Sequence, residues 1–154
     1  MSDNNTTALA LGTAALGISI YTYFSTKAYT SKRSTIPGSP FYNGAQNYGG
    51  VVYTAGQVGM LPGTKTFAEG GIEAQTKQAL ENLKAALEKS GSSLGSVLKV
   101  TVLLDDIDDY GKFNDVYLTY FTDADVRPAR VCFGPGGLPF GALVEIDATA
   151  IQES

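Results

Sequence analysis

Histidine is absent from all 154 residues, and tryptophan with it. Without an imidazole there is no Ser-His-Asp or Cys-His nucleophile pair and no histidine metal site. Cysteine occurs once, at Cys132, so an internal disulfide framework and a cysteine-rich zinc centre are both excluded and a reducing compartment is the simplest setting. Basic charge is scarce as well: 11 Lys and Arg stand against 15 Asp and Glu, for a net charge of -4. No long basic run offsets this, which argues against a nucleic-acid partner. Chemistry is left to carboxylate, guanidinium, hydroxyl, thiol or backbone groups.

The length suits one domain with a real core, and 44% apolar against 17% charged residues describe a globular or membrane-associated chain. Thr6 to Phe24 carries no charge, and roughly 19 apolar residues suffice to cross a hydrocarbon core as a helix. Tyr21, Tyr23 and Phe24 stand where an aromatic belt would lie, and Lys27, Lys32 and Arg33 follow the run. By the positive-inside tendency the folded part stays on the cytoplasmic or matrix side. Residues 1–33 are therefore expected to be an N-terminal apolar helix, a membrane anchor, with its basic flank. Residues 34–40, with Pro37, Gly38 and Pro40, read as a linker, and residues 41–154 as the domain.

Within the domain, Phe41 to Ala45 and Val51 to Val58 predict strands around a turn at 46–50. Ile72 to Ser90 predicts a helix from Ile72, Ala79, Leu80, Leu83, Ala86 and Leu87, with Gly91 stopping it. Leu98 to Leu104 predicts a strand. Asp109 to Phe121 predicts a second helix whose Tyr110, Phe113, Tyr117 and Tyr120 form an apolar side assigned to the core. Asp105, Asp106, Asp108 and Asp109 read as helix-start residues rather than a cation site. Gly63-Thr64-Lys65-Thr66 lacks the Gly-Lys order of a phosphate loop and is set aside.

Pro128-Ala129-Arg130-Val131-Cys132 and the final strand through Glu145 carry the chemistry. Alternation puts Arg130 and Cys132 on one face, and Val144, Ile146, Ala148 and Ala150 on an apolar face that leaves Glu145, Asp147 and Thr149 opposite. If the two strands pair, Arg130 and Glu145 could share one surface, the sheet's face away from the helices. Such a mixed face is neither polar enough for solvent nor apolar enough for a core, and a homo-oligomer enclosing small clefts accounts for it. The plainer alternatives are an interface ion pair for Arg130 and Glu145 and a small buried hydrophobe for Cys132.

Taken in order, Val52-Tyr53-Thr54-Ala55-Gly56-Gln57, Gln75 to Leu83, Lys99-Val100-Thr101-Val102, Phe113 to Tyr117, Pro128 to Cys132, Leu138-Pro139 and Val144-Glu145-Ile146 resemble the reactive-intermediate (imine) deaminases, the Rid or YjgF-like family. The resemblance covers about Tyr42 to Gln152. It implies an α+β, chorismate-mutase-like mixed sheet with two helices on one face, assembled as a homotrimer with clefts between subunits. It further implies hydrolysis of 2-imino acids, released as enamines, to 2-keto acids and ammonia, without a metal or organic cofactor. Carried over by position, Arg130 holds the substrate carboxylate, Glu145 positions and polarises water, and Cys132 lines the imine site. Tyr42, Gly56 and Asn114 complete the pocket. Two features depart from the family pattern: Ala55 stands where a serine is usual, and Phe133-Gly134-Pro135-Gly136-Gly137 follows the Arg130 strand. Ala55, the Pro135-Gly136-Gly137 run and the apolar extension motivate an alternative reading, a non-catalytic membrane-tethered subunit of a larger complex, for which the mitochondrial inner membrane is the natural setting. A small-carboxylate sensor using Arg130 is a third.

Overall fold

A computed structural model of the chain describes residues 33–153. The run Thr6 to Phe24, expected to be an apolar helix, lies outside them; among the described residues no helix is long and apolar enough to cross a membrane.

Seven strands make one sheet: β1 (Ser34–Ile36), β2 (Ala45–Tyr48), β3 (Val51–Thr54), β4 (Gln57–Val58), β5 (Val97–Leu104), β6 (Ala129–Phe133) and β7 (Val144–Ile151). Helix α1 (Gly71–Lys89) lies between β4 and β5 in the chain, and α2 (Tyr110–Tyr120) between β5 and β6. The spatial order is β1-β2-β3-β7-β5-β6, with β4 also pairing to β7. Only β5 and β6 run parallel, which is why a helical crossover joins them. The result is the expected mixed α+β architecture. Both helices cover one face, where Leu80, Leu83, Leu87, Phe113 and Tyr117 pack on Val52, Val100, Val102, Val144 and Ile146. Strand β7 shows the predicted alternation, with Val144, Ile146, Ala148 and Ala150 buried and Glu145, Asp147 and Thr149 half-buried on the other face.

Several boundaries differ from the sequence reading. The expected linker contains β1, which pairs with β2 from Ser34 opposite Asn47 to Ile36 opposite Ala45. Phe41 to Ala45 is not a strand; β2 starts at Ala45, so Phe41 and Tyr42 stay exposed. The β2–β3 turn is only Gly49-Gly50, both at positive φ, the conformation a two-residue hairpin requires. The single strand expected at Val51 to Val58 breaks at Ala55-Gly56 into β3 and β4.

Helix α1 ends as predicted at Gly91, whose φ of 72° lets Ser92 N–H donate to Leu87 O at 2.9 Å and Gly91 N–H to Glu88 O at 3.1 Å. This pair of bonds satisfies carbonyls that the helix leaves over. The acidic run divides its labour. Asp106 caps the turn before α2 by accepting from Asp108 N–H at 2.9 Å. Asp109 pairs with Lys112 at 2.9 Å, and no side chain caps α2 itself. Asp105 instead holds the glycine run after β6, accepting from Gly137 N–H at 2.8 Å and Leu138 N–H at 3.3 Å.

Candidate active site

Strand register decides where each reacting group goes. In the parallel pair, Arg130 lies opposite Val100 and Cys132 opposite Val102, both fully buried residues beneath the helices. Arg130 and Cys132 therefore face the helix side, while Val131 and Phe133 are exposed on the open face. Glu145 lies opposite Leu103, whose neighbours across β5 put it on that open face. The expectation that Arg130 and Glu145 share one surface of the sheet is thus corrected: within one chain they lie on opposite faces, two strands apart. A shift of one residue in register reverses the facing of a whole strand, and alternation alone cannot choose between the two.

The candidate residues form two separate groups. In the first, the Glu145 carboxylate rests on the break between β3 and β4. A Cβ on Gly56 would overlap that carboxylate, so any larger residue there must push the Glu145 side chain aside. Burial raises the Glu145 pKa above the ordinary glutamate value, and the charge of nearby Asp147 raises it further. The Asp147 pKa is raised as well, again chiefly by burial, with the Thr101 hydrogen bond and Lys99 opposing. Beside Glu145 opens a cleft of about 760 Å³ on the open face, walled by Phe41, Tyr42, Tyr53, Gly56, Pro139 and Phe140. A second hollow of about 490 Å³ lies behind Gly56 against α1; it shares Tyr42 and Gly56, but Glu145 does not line it.

The second group is built on the edge strand β6. The Arg130 guanidinium sits over three rings of α2, at 4.7 Å from the Tyr117 centroid, 5.4 Å from Tyr110 and 5.5 Å from Phe113. It donates to the Tyr110 hydroxyl at 2.9 Å. Among the described residues no carboxylate pairs with it, the one ion pair being Lys112 with Asp109. Cation–π stacking and one neutral acceptor hold the guanidinium in place while leaving its charge for an incoming anion. Tyr117 is 4% exposed and its hydroxyl has no partner. Burial raises its pKa, partly offset by Arg130. Half-buried Asn114 lies one helical turn from both Tyr110 and Tyr117 on the same side of α2. Burial also raises the Cys132 thiol pKa, against a smaller opposing effect of Arg130. A raised pKa lowers the thiolate share, the opposite of what an activated nucleophile needs.

The sequence reading assigned Tyr110, Phe113 and Tyr117 together to the core. Phe113 and Tyr117 are there, but all three also form the bed for Arg130, and Tyr110 is exposed. Their i, i+3 and i+7 spacing was visible; what it faced depended on the β6 register. Phe41 and Phe140 escaped notice because an exposed aromatic in a loop has no periodic signature. Phe140 adopts φ 60°, ψ 12°, a left-handed conformation that costs an L-residue about 1–2 kcal/mol and collects at functional sites. Among the described residues no group of three His, Cys, Asp or Glu side chains forms a metal site.

A mixed sheet with two helices on one face, a carboxylate seated on a glycine break, and an unpaired arginine on the edge strand mark out a class of small α+β domain. The chain belongs to the Rid/YjgF family: the family model described as "Endoribonuclease L-PSP" matches residues 34–152. The chain is 42% identical over 112 residues to a RutC family protein of Pyrococcus abyssi, covering 73% of this chain and 87% of that protein. It is 40% identical over 111 residues to the mouse 2-iminobutanoate/2-iminopropanoate deaminase, covering 72% and 81%. Among solved structures, yeast Mmf1 superposes with a TM-score of 0.73 at 30% identity, covering 79% of this chain and all of that one. RidA of an Antarctic Psychrobacter gives 0.68 at 35% identity, covering 76% and 94%.

Gly56→Ala tests the seat of the carboxylate. The added methyl must displace Glu145, so kcat is expected to fall by roughly 10²-fold while far-ultraviolet circular dichroism stays unchanged, since small misplacements of a reacting group cost about that much. Unchanged turnover would show that Glu145 does not need this position.

Proposed function

We propose that the protein hydrolyses 2-imino acids and their enamine tautomers to 2-keto acids and ammonia. The working unit is a ring of three copies in which each cleft takes Glu145 from one copy and Arg130 from the next. One observation carries this reading: the unpaired guanidinium and the raised carboxylate lie on opposite faces of the sheet, where one small substrate cannot touch both within a chain. A second copy resolves the separation, and two different patches meeting head to tail form a ring when the rotation from copy to copy closes.

In such a cleft Arg130 grips the substrate carboxylate through two parallel N–H donors. Glu145 takes a proton from water as the oxygen attacks C2, and the electron pair of the C=N bond moves to nitrogen, which the same proton then reaches. Transfer of the hydroxyl proton to nitrogen restores a C=O bond as ammonia departs, so imine and water become keto acid and ammonia. The imine is already electrophilic, and positioning with modest proton transfer suffices. Neither metal nor organic cofactor enters. The mouse relative's name supports this chemistry. Against ribonuclease action, which the family description names, stand the net charge of -4 and the absence of histidine.

The test is ammonium release by the full-length protein from 2-iminopropanoate generated in the cuvette, measured without added metal. Turnover above the uncatalysed rate is expected. A protein that forms rings yet leaves that rate unchanged would be the non-catalytic structural subunit, the second reading, which Ala55 favours by removing a hydroxyl from the cleft. A membrane anchor at Thr6 to Phe24, with the domain on the cytoplasmic or matrix side, the mitochondrial inner membrane as its place and a larger complex as its setting, is part of the proposal. It rests on span length and the Lys27, Lys32 and Arg33 flank alone.

A further inference from the structure

Two aromatic rings stand almost free at the Glu145 cleft, Phe41 at 93% exposure and Phe140 at 86%. Phe140 is held there against its own backbone preference. It is the one non-glycine residue at positive φ among the described residues, and its neighbours fix it in place. Asp105 clamps Gly137 and Leu138, Leu138 is buried at 8% exposure, and Ala142 N–H donates to Pro139 O at 3.1 Å. A loop under that much constraint does not present a strained phenylalanine to solvent by default.

Building on the imine-deaminase reading, we propose that Phe140, with Phe41 in the same cleft, forms a side-chain subsite that selects 2-imino acids bearing bulky apolar, above all aromatic, side chains. The acid group is taken by Arg130 and C2 by Glu145. The third substituent then points along the rest of the cleft, where Phe41, Tyr53, Pro139 and Phe140 supply the apolar surface beside the polar Ser39, Asn43, Gln46 and Thr54. Among the described residues of one chain no charged side chain other than Glu145 lines that cleft, so once Arg130 of the next copy holds the acid group a charged substituent finds no partner there. The methyl group of a three-carbon acid offers little surface to the two rings, whereas a benzyl group stacks on them.

The experiment compares kcat/KM of the full-length protein for the imines of phenylalanine, leucine and alanine, generated in place by an amino-acid oxidase, with the oligomeric state followed by light scattering. The wild type is expected to favour the phenylalanine imine over the alanine imine by at least about 10-fold, in line with the discrimination that apolar pockets achieve. Phe140→Ala should lower that ratio by about 10-fold, and Phe140→Tyr should keep it. Phe140→Gly should lower the ratio while raising Tm, because glycine is at ease at this φ. A wild type that prefers the alanine imine, or a ratio that Phe140→Ala leaves alone, overturns the subsite while leaving the deaminase reading intact. Dissociation of both the Ala and Gly variants into inactive single chains would assign the ring to the contact between copies and overturn the subsite too. If no imine is turned over, the deaminase reading itself fails. Calorimetry with the stable keto acids then decides the subsite alone: tighter binding of phenylpyruvate than pyruvate, lost in Phe140→Ala, upholds it, and equal binding overturns it.

Discussion

Co-refolding Arg130→Ala with Glu145→Gln at equal amounts is expected to return about a quarter of wild-type activity, although each variant alone is nearly inactive. The loss in Arg130→Ala should be roughly 10²–10³-fold, because two hydrogen bonds to a charged carboxylate disappear together. The recovery follows from the placement of the two groups. Arg130 projects among the rings of α2 on the helix side of edge strand β6. Glu145 projects from β7 on the open side. If each cleft draws one group from each of two neighbours, a cleft works when the Glu145-bearing wall comes from the arginine variant, half the time, and the Arg130-bearing wall from the glutamine variant, again half the time. Ammonium release from the mixture, set against the parents measured separately, checks this. A mixture no more active than the average of its parents would mean that no cleft combines Glu145 of one copy with Arg130 of another, and would overturn the shared-cleft reading.

The second large effect separates chemistry from architecture. Glu145→Gln should cost roughly 10²–10⁴-fold in kcat, the range for losing a positioned acid–base group. The same substitution should raise Tm by a few degrees at pH 8. The Glu145 pKa in the folded chain stands above the ordinary value of 4.5, owing first to burial and then to Asp147. The folded state thus holds that proton more tightly than the unfolded state, and stability falls as pH rises from 4.5 through the raised value. Above that window the wild type bears the full burden of an ionised, partly desolvated carboxylate, which glutamine lacks. Below 4.5 both states are protonated and the advantage of glutamine disappears. Thermal melts at pH 4 and pH 8 read this directly, and the wild-type pH–rate profile should show an acid limb centred above 4.5. A lower Tm for Glu145→Gln at pH 8 would identify the carboxylate as half of an ion pair with a neighbour's Arg130, a purely structural role. Trapping it as a poised base requires the opposite sign.

How much of this was legible in the sequence follows from which interactions are local. The alternation along β7 and the helical repeat of α1 with its Gly91 stop depend on neighbours a few residues away, and both appear where they were expected. The face taken by Arg130 was not legible, because it depends on how β6 aligns with β5, some thirty positions earlier in the chain. Strand β1 was missed for a related reason: three residues beside Pro37 carry no period, and only the edge of β2 makes them a strand. Asp105 looked like any acidic residue before a helix; its partners Gly137 and Leu138 are reached only through the tertiary fold. Gly56 and Glu145 came together on family resemblance, while the physical reason for the glycine, a carboxylate lying where a side chain would be, needed three dimensions.

Cys132 is partly buried against the core, and burial raises its thiol pKa above the ordinary value with Arg130 opposing. Oxidants and alkylating agents attack sulfur as the anion, so the chain's sole thiol offers them little purchase. On the proposed reading the chemistry runs on oxygen and nitrogen groups alone, so agents that consume ionised sulfur leave the reacting groups untouched.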